Sequence, residues 1–156
     1  MWTVIDSPVG PLRLTANGHG LAAIEFTPFS AISFGDRDDD HPVLRATAAQ
    51  LAEYFAGTRT EFDLPLAPVG TDFQLRVWAE LRTIGYGQTA SYGEIAHRLG
   101  LTNAASRAVG LANSRNPIPI VVPCHRVIGA DGTLTGYAGG IDRKRALLDL
   151  ENPALV

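Results

Sequence analysis

With one cysteine in 156 residues, the chain can close no internal disulfide and build no multi-cysteine metal site. That scarcity points to a reducing compartment, the cytoplasm. Apolar runs long enough to span a bilayer are missing. Met1-Trp2-Thr3-Val4-Ile5-Asp6 also lacks the basic and apolar regions of a secretory leader, so no membrane partner is expected. Lysine is nearly absent as well: arginine supplies twelve of the thirteen cations, and its fork suits phosphate. A net charge of −3 argues against nucleic acid only on average. Residues 1–70 hold four arginines and nine carboxylates, a net −5, while residues 71–156 hold nine cations and seven carboxylates, a net +2. Much of the acid sits in Asp36-Arg37-Asp38-Asp39-Asp40, which reads as a solvated loop. The basic excess permits DNA binding without requiring it.

The single thiol lies in Pro123-Cys124-His125-Arg126-Val127, directly after the apolar run Ile118-Pro119-Ile120-Val121-Val122. That run predicts a strand. A thiol at the end of a rigid strand, beside groups that can carry positive charge, suits a nucleophile. A buried cysteine acting as a small hydrophobe fits the composition at least as well. The flanking residues have to decide.

The opening predicts strands and turns: Val4-Ile5-Asp6, Leu12-Arg13-Leu14 and residues 21–26, the last after an Asn17-Gly18-His19-Gly20 turn. Pro42 precedes a helix over residues 43–56, with Leu44, Ala48, Leu51, Ala52 and Phe55 at helical spacing and Gly57 as its stop. Residues 64–70 read as a linker, which places the domain boundary between residues 70 and 71. Short helices follow. Asp72 is a candidate cap for a helix carrying Phe73, Val77, Trp78, Leu81 and Ile84. Ser91-Tyr92-Gly93-Glu94 matches a capping box for a second helix that Gly100 ends, and Thr102 would cap a third over residues 103–113. Two short helices about a glycine-containing turn resemble a helix-turn-helix. Ala104, Ala105, Ala108, Gly110 and Ala112 keep the third helix slim around Arg107, which suits either tight packing or a DNA minor groove. Residues 127–134 suggest a wing hairpin, Gly136-Tyr137-Ala138-Gly139-Gly140 a close-approach loop, and residues 141–150 a last helix that buries Leu147 and Leu150.

Six motifs then fall in order: Ser91-Tyr92-Gly93-Glu94-Ile95-Ala96, Ala105-Ser106-Arg107-Ala108-Val109-Gly110, Asn116-Pro117, Pro123-Cys124-His125-Arg126-Val127-Ile128, Gly136-Tyr137-Ala138-Gly139-Gly140 and Leu147-Leu148-Asp149-Leu150-Glu151. Together they resemble the O6-alkylguanine-DNA alkyltransferase family, from about Thr71 to the C-terminal end and more weakly before it. The resemblance implies a ribonuclease-H-like α/β domain over residues 1–70 and a mainly α, winged helix-turn-helix-like domain over residues 71–156. It implies a DNA repair transferase that moves an alkyl group from O6-alkylguanine in double-stranded DNA irreversibly onto Cys124, once per molecule. O4-alkylthymine as a second substrate and the preferred alkyl size stay open. No cofactor is required. His125 would act on the thiol through a bridging water, Glu151 would orient His125, and Asn116 would tie the recognition helix to the thiol segment. Arg107 would fill the stack vacated by the flipped nucleotide, on a helix that also offers Ala105, Ser106 and Gly110 to DNA. Tyr92 would promote rotation and donate toward guanine N3. Val127, Tyr137, Ala138 and Gly139 would line the alkylguanine pocket. Ala138 stands where relatives often carry Ser or Gly.

Some relatives hold zinc in the first domain. Here only His19 and His41 are present there with no cysteine, so no metal is expected. The chain is taken as a monomer. Two other functions compete: a lesion sensor that binds without transfer, and a cysteine hydrolase. The second is disfavoured because His125 follows Cys124 immediately.

Overall fold

The computed structural model describes residues 1–31 and 35–153. Contacts within the chain divide it into two units, Met1–Val69 and Gly70–Val156.

The first unit is an antiparallel sheet in the order β1 (Trp2–Ile5), β2 (Leu12–Asn17), β3 (Gly20–Phe26), with helix α1 (Pro42–Phe55) packed on it. The central β2 is buried on both faces: Leu12, Leu14 and Ala16 join the core, while Arg13 and Thr15 are also covered. Arg13 lies directly opposite Glu25 on β3 and its Nε reaches Glu25 Oε2 at 2.7 Å, so the buried charge has a partner. His41, one of the two histidines weighed for zinc, caps α1 instead, its Nδ1 accepting from the Val43 N–H at 3.2 Å. Leu44, Thr47, Leu51 and Tyr54 form the inward face of α1. The inward stripe thus runs through Thr47 and Tyr54, while Ala52 is exposed. Residues 64–70 are not a free linker. The Leu21 N–H donates to Pro65 O and the Ala67 N–H to Leu21 O, both at 2.8 Å, so this segment extends the β3 edge. Unpaired strand groups account for the difference: the linker supplies the partners that β3 would otherwise lack.

The second unit contains α2 (Asp72–Leu81), β4 (Ala90–Ser91), α3 (Tyr92–Arg98), α4 (Ser106–Ser114), β5 (Val127–Ile128) and α5 (Ile141–Glu151). Thr71, rather than Asp72, caps α2: its hydroxyl takes the Gln74 N–H, and the Gln74 side chain returns to the Thr71 N–H. Asp72 sits one residue inside, where its charge favours the helix N-terminus. Ser91 caps α3 by accepting from the Glu94 N–H at 3.1 Å, and Gly100 ends that helix at φ 78°. Thr102 makes no cap bond, and a 3-10 turn at Asn103–Ala105 precedes α4, which starts at Ser106. α3 and α4 pack together, and Trp78 Nε1 on α2 donates to Ala112 O at 2.8 Å to hold α4 against it.

Two strand expectations fail here. Residues 118–122 are turns, because Pro117, Pro119 and Pro123 remove ladder donors and Ile120 adopts φ 73°. The wing hairpin is reduced to a tight turn in which the Gly129 N–H donates to Thr133 O at 2.9 Å. Strand β5 pairs in parallel with β4 instead, Val127 opposite Ala90. On α5 the buried leucines are Leu147 and Leu148, with Leu150 only half-buried. Among the described residues no helix is long and apolar enough to cross a membrane.

Candidate active site

Cys124 opens a 3-10 turn, Cys124–Arg126, on the buried segment that runs from Ile118 to Val127. Before Val127 the segment has no sheet partner: its own turns bond the Val122 N–H to Ile118 O at 2.9 Å and the Cys124 N–H to Val122 O at 2.8 Å, and side chains add to these. Asn116 Nδ2 donates to Val122 O at 2.8 Å, and its Oδ1 accepts from the Ile118 N–H at 3.0 Å. Asn113, on α4, donates to Cys124 O at 3.3 Å. This double clamp holds Ile120, a β-branched residue, in left-handed backbone, a local strain on the order of 1–2 kcal/mol.

Glu151, at the end of α5, gathers the next two residues. Its Oε2 meets His125 Nε2 at 2.7 Å and Arg126 Nη2 at 3.0 Å, while Oε1 takes Arg126 Nε at 2.8 Å. Arg126 Nη1 also donates to Ile84 O, and its guanidinium lies over the Tyr86 ring at 5.8 Å. Burial acts to raise the Glu151 pKa, but the bonds from His125 and Arg126 outweigh it and hold the carboxyl at about 2. For His125, burial lowers the pKa and prevails over the attraction of Glu151. A neutral imidazole beside an ionised carboxylate must donate through Nε2. The lone pair therefore sits on Nδ1, a buried atom with no hydrogen-bond partner among the described residues.

Two successive residues of a 3-10 turn point about a third of a turn apart rather than to opposite faces of a strand. Even so, no hydrogen bond links the thiol to the imidazole, since His125 Nε2 is engaged by Glu151 and Nδ1 has no partner. Burial pushes the Cys124 thiol up to about 11, opposed by the Asn116 side chain and the charge of Lys144. Lys144 had no place in the motif reading. It is fully buried on α5, and its Nζ donates to Val127 O at 2.6 Å and Thr135 O at 2.7 Å. Burial lowers its pKa to about 8. The signal that could have found it is spacing: Lys144 falls on the apolar stripe shared by Ile141, Leu147 and Leu148.

Tyr92, the first residue of α3, places its hydroxyl 3.3 Å from both Thr135 O and Thr135 Oγ1. Thr135 O is therefore shared by Tyr92 and Lys144. Gly136, at φ 58°, turns the chain tightly after it. Tyr137 is buried, Ala138 exposed and Gly139 half-buried, with Gly139 O accepting from Arg143 Nη1 at 3.2 Å. Arg107 stands exposed on α4, with Ala105, Ser106 and Gly110 half-buried around it. A groove of about 420 Å³ runs along Ser91, Tyr92, Gly93, Glu94 and Ser106. Cys124 does not line it; the thiol residue keeps 4% of its surface exposed. Cys124, His125, Asn116 and Glu151 thus form one connected cluster. Tyr92 reaches it through Thr135 and Lys144, while Arg107 stands apart on the surface.

The family model described as 6-O-methylguanine DNA methyltransferase, DNA binding domain, matches residues 72–153. The ribonuclease-like domain of 6-O-methylguanine DNA methyltransferase matches residues 1–68. A methylated-DNA–protein-cysteine methyltransferase of Mycobacterium tuberculosis is 54% identical over 153 residues, 96% of this chain and 91% of the relative. One from Methanosarcina acetivorans is 49% identical over 152 residues, 96% of this chain and 97% of the relative. Among solved structures, Mycobacterium tuberculosis OGT in complex with DNA matches with a TM-score of 0.90 at 53% identity, over 97% of this chain and 92% of that one.

Proposed function

The chain belongs to the 6-O-methylguanine DNA methyltransferase family, and from that premise we propose that it repairs O6-alkylguanine in duplex DNA by taking the alkyl group onto Cys124. The observation that carries the residue assignment is the buried His125–Glu151 pair directly after Cys124, with its carboxylate held ionised and the imidazole lone pair on Nδ1.

In the reaction, the sulfur lone pair attacks the alkyl carbon, a carbon–sulfur bond forms and the carbon–O6 bond breaks. Those electrons return to the guanine ring, which takes up a proton and leaves as the normal base. The thiol proton passes to His125 Nδ1 through a bridging water, and Glu151 keeps the ring in the tautomer able to receive it. Asn116 and Lys144 support the developing thiolate. A thioether resists water and thiols, so each molecule acts once and needs no cofactor. The target carbon is out of reach in a stacked duplex, and rotating the nucleotide out costs a few kcal/mol. Arg107 on the exposed face of α4 fills the gap, with Ala105, Ser106 and Gly110 beside it letting the helix approach the minor groove. Tyr92 crowds the phosphate and donates toward the base. Val127, Tyr137, Ala138 and Gly139 surround the extruded guanine, and the reducing cytoplasm suits the free thiol.

Incubation with duplex containing O6-methylguanine should add one methyl group per intact chain by mass spectrometry, and none to Cys124→Ala. An adduct on any other residue overturns the assignment. The high thiol pKa favours a second reading, a sensor that binds lesions without transfer. Tight lesion binding with no adduct would establish that one.

A further inference from the structure

We infer that Leu111 reads the minor groove, making repair faster where the base pair it covers beside the lesion is A·T rather than G·C. The inference rests on the reading of α4 as the helix that faces DNA. Helix α4 buries Val109, Ala112 and Asn113, and leaves Arg107, Ala108, Leu111 and Arg115, its C-terminal cap, exposed. Arg107, Leu111 and Arg115 are spaced four residues apart, so they follow one another along a single face at intervals of about 6 Å. Leu111 is 53% exposed, and its neighbour on that face, Ala108, is methyl-sized. It is therefore the one large apolar side chain projecting between two guanidinium groups.

A lone exposed leucine needs no explanation by itself. This one stands on a surface whose charge identifies the partner. Arg107 and Arg115 are the charged side chains of α4 and its cap, and the helix carries no carboxylate, in a chain whose net charge is −3. Such a face complements a phosphate-lined groove, in which Arg115 would meet the backbone while Leu111 meets the floor. The floor differs between base pairs. An A·T pair offers only the adenine N3 and thymine O2 acceptors, whereas a G·C pair adds the projecting guanine N2 amino group. Leucine has nothing to accept from that amino group. Over G·C it strips water from the donor without replacing the bond; over A·T its methyl groups pack on a flatter surface.

The test measures single-turnover repair by the full chain on duplexes in which O6-methylguanine is flanked, on each side in turn, by A·T or G·C. The wild type should be about fivefold faster with A·T on one flank, the scale expected for one donor desolvated without a partner. Leu111→Ala should bring that ratio within about twofold of unity, a readout in which any general loss of activity cancels. Leu111→Asn, whose amide oxygen can accept from guanine N2, should reverse the preference. A wild type indifferent to both flanks, or a Leu111→Ala protein that keeps the preference, overturns the inference while leaving α4 as the DNA-facing helix. An Arg107→Ala protein that repairs duplex as fast as the wild type removes α4 from the groove, and the assignment of Leu111 falls with it.

Discussion

Lys144 Nζ donates to the carbonyl of Val127 at 2.6 Å, three residues beyond the thiol, from a side chain with no exposed surface. The same ammonium reaches Thr135 O at 2.7 Å, and the Tyr92 hydroxyl approaches that oxygen at 3.3 Å. One cation thus joins the thiol segment to the glycine-rich loop and to the residue proposed to drive base rotation. Among the described residues no carboxylate pairs with it; its charge is balanced by two backbone dipoles and by whatever negative charge Cys124 develops.

Lys144→Met keeps the length of the side chain but removes both donors and the charge. The buried Val127 carbonyl and the part-buried Thr135 carbonyl each lose a donor, and the fold should weaken by about 1–3 kcal/mol in urea unfolding. The thiolate loses the cation whose charge lowers its pKa, so the rate of reaction with free O6-benzylguanine should fall at neutral pH and its rise with pH should move upward. A protein that is less stable but keeps the wild-type pH profile would make Lys144 a structural strut alone.

Acid should destabilise the protein in two windows. His125 is neutral in the fold with its pKa below 6.5, so an unfolded chain binds a proton there that the native one refuses. Stability therefore falls as pH drops below about 6.5. Glu151 has its folded pKa lowered from 4.5 to about 2, so its contribution is intact above 4.5 and is lost as pH falls toward 2. A shift of that size corresponds to on the order of 3 kcal/mol. Glu151→Gln should abolish the second window, at a cost of about 3–5 kcal/mol at pH 7 because Arg126 is left buried and unpaired. Urea midpoints that are equal at pH 7, 5 and 3.5 in the wild type would contradict these charge states.

Arg107→Ala and Tyr92→Ala should each slow repair of O6-methylguanine in duplex about 10-fold or more, the scale of a few kcal/mol of rotation cost. Reaction with free O6-benzylguanine should fall far less, because a free base needs no rotation. Equal losses on the two substrates would sink both assignments. Tyr92 is the sharper case, since its hydroxyl also touches the loop that Lys144 holds.

The chemistry was legible where it rests on residue type at fixed spacing, and illegible where it rests on backbone that the apolar pattern disguises. Cys124, His125 and Glu151 are named by ordered motifs, and the fold brings all three together. The run at residues 118–122 reads as a strand because apolar, β-branched residues look alike in a buried strand and a buried turn. Its prolines at 117, 119 and 123 were the better guide, since each removes a donor that a ladder would need. Lys144 was hidden by its isolation among twelve arginines, although its place on the inner stripe of α5 marked it. Asp72 reads as the cap of α2 from sequence, and the reciprocal bond of the neighbouring Thr71 with Gln74 is what moves the cap by one residue.

Asn116 and Asn113 provide a paired test of what the clamp does for the thiol. Both are buried, and both donate to a carbonyl of the same segment, Asn116 to Val122 and Asn113 to Cys124. Asn116 alone also lowers the thiol pKa through its side chain. Alanine at either position removes buried hydrogen bonds, about 1 kcal/mol for each, so both variants should unfold at lower urea. Asn116→Ala should be the less stable, because it loses two bonds and orphans the Ile118 N–H, and the strained Ile120 turn loses its brace, although Val122 O keeps the Cys124 N–H. Their effects on reactivity should separate further. Asn116→Ala should shift the pH profile of thiol alkylation upward, whereas Asn113→Ala should leave it in place, since its bond goes to the Cys124 carbonyl and not the sulfur. The profile is read by the rate of adduct formation with O6-benzylguanine from pH 6 to 9. If both variants leave the profile unmoved, Asn116 braces the turn and does nothing for the nucleophile.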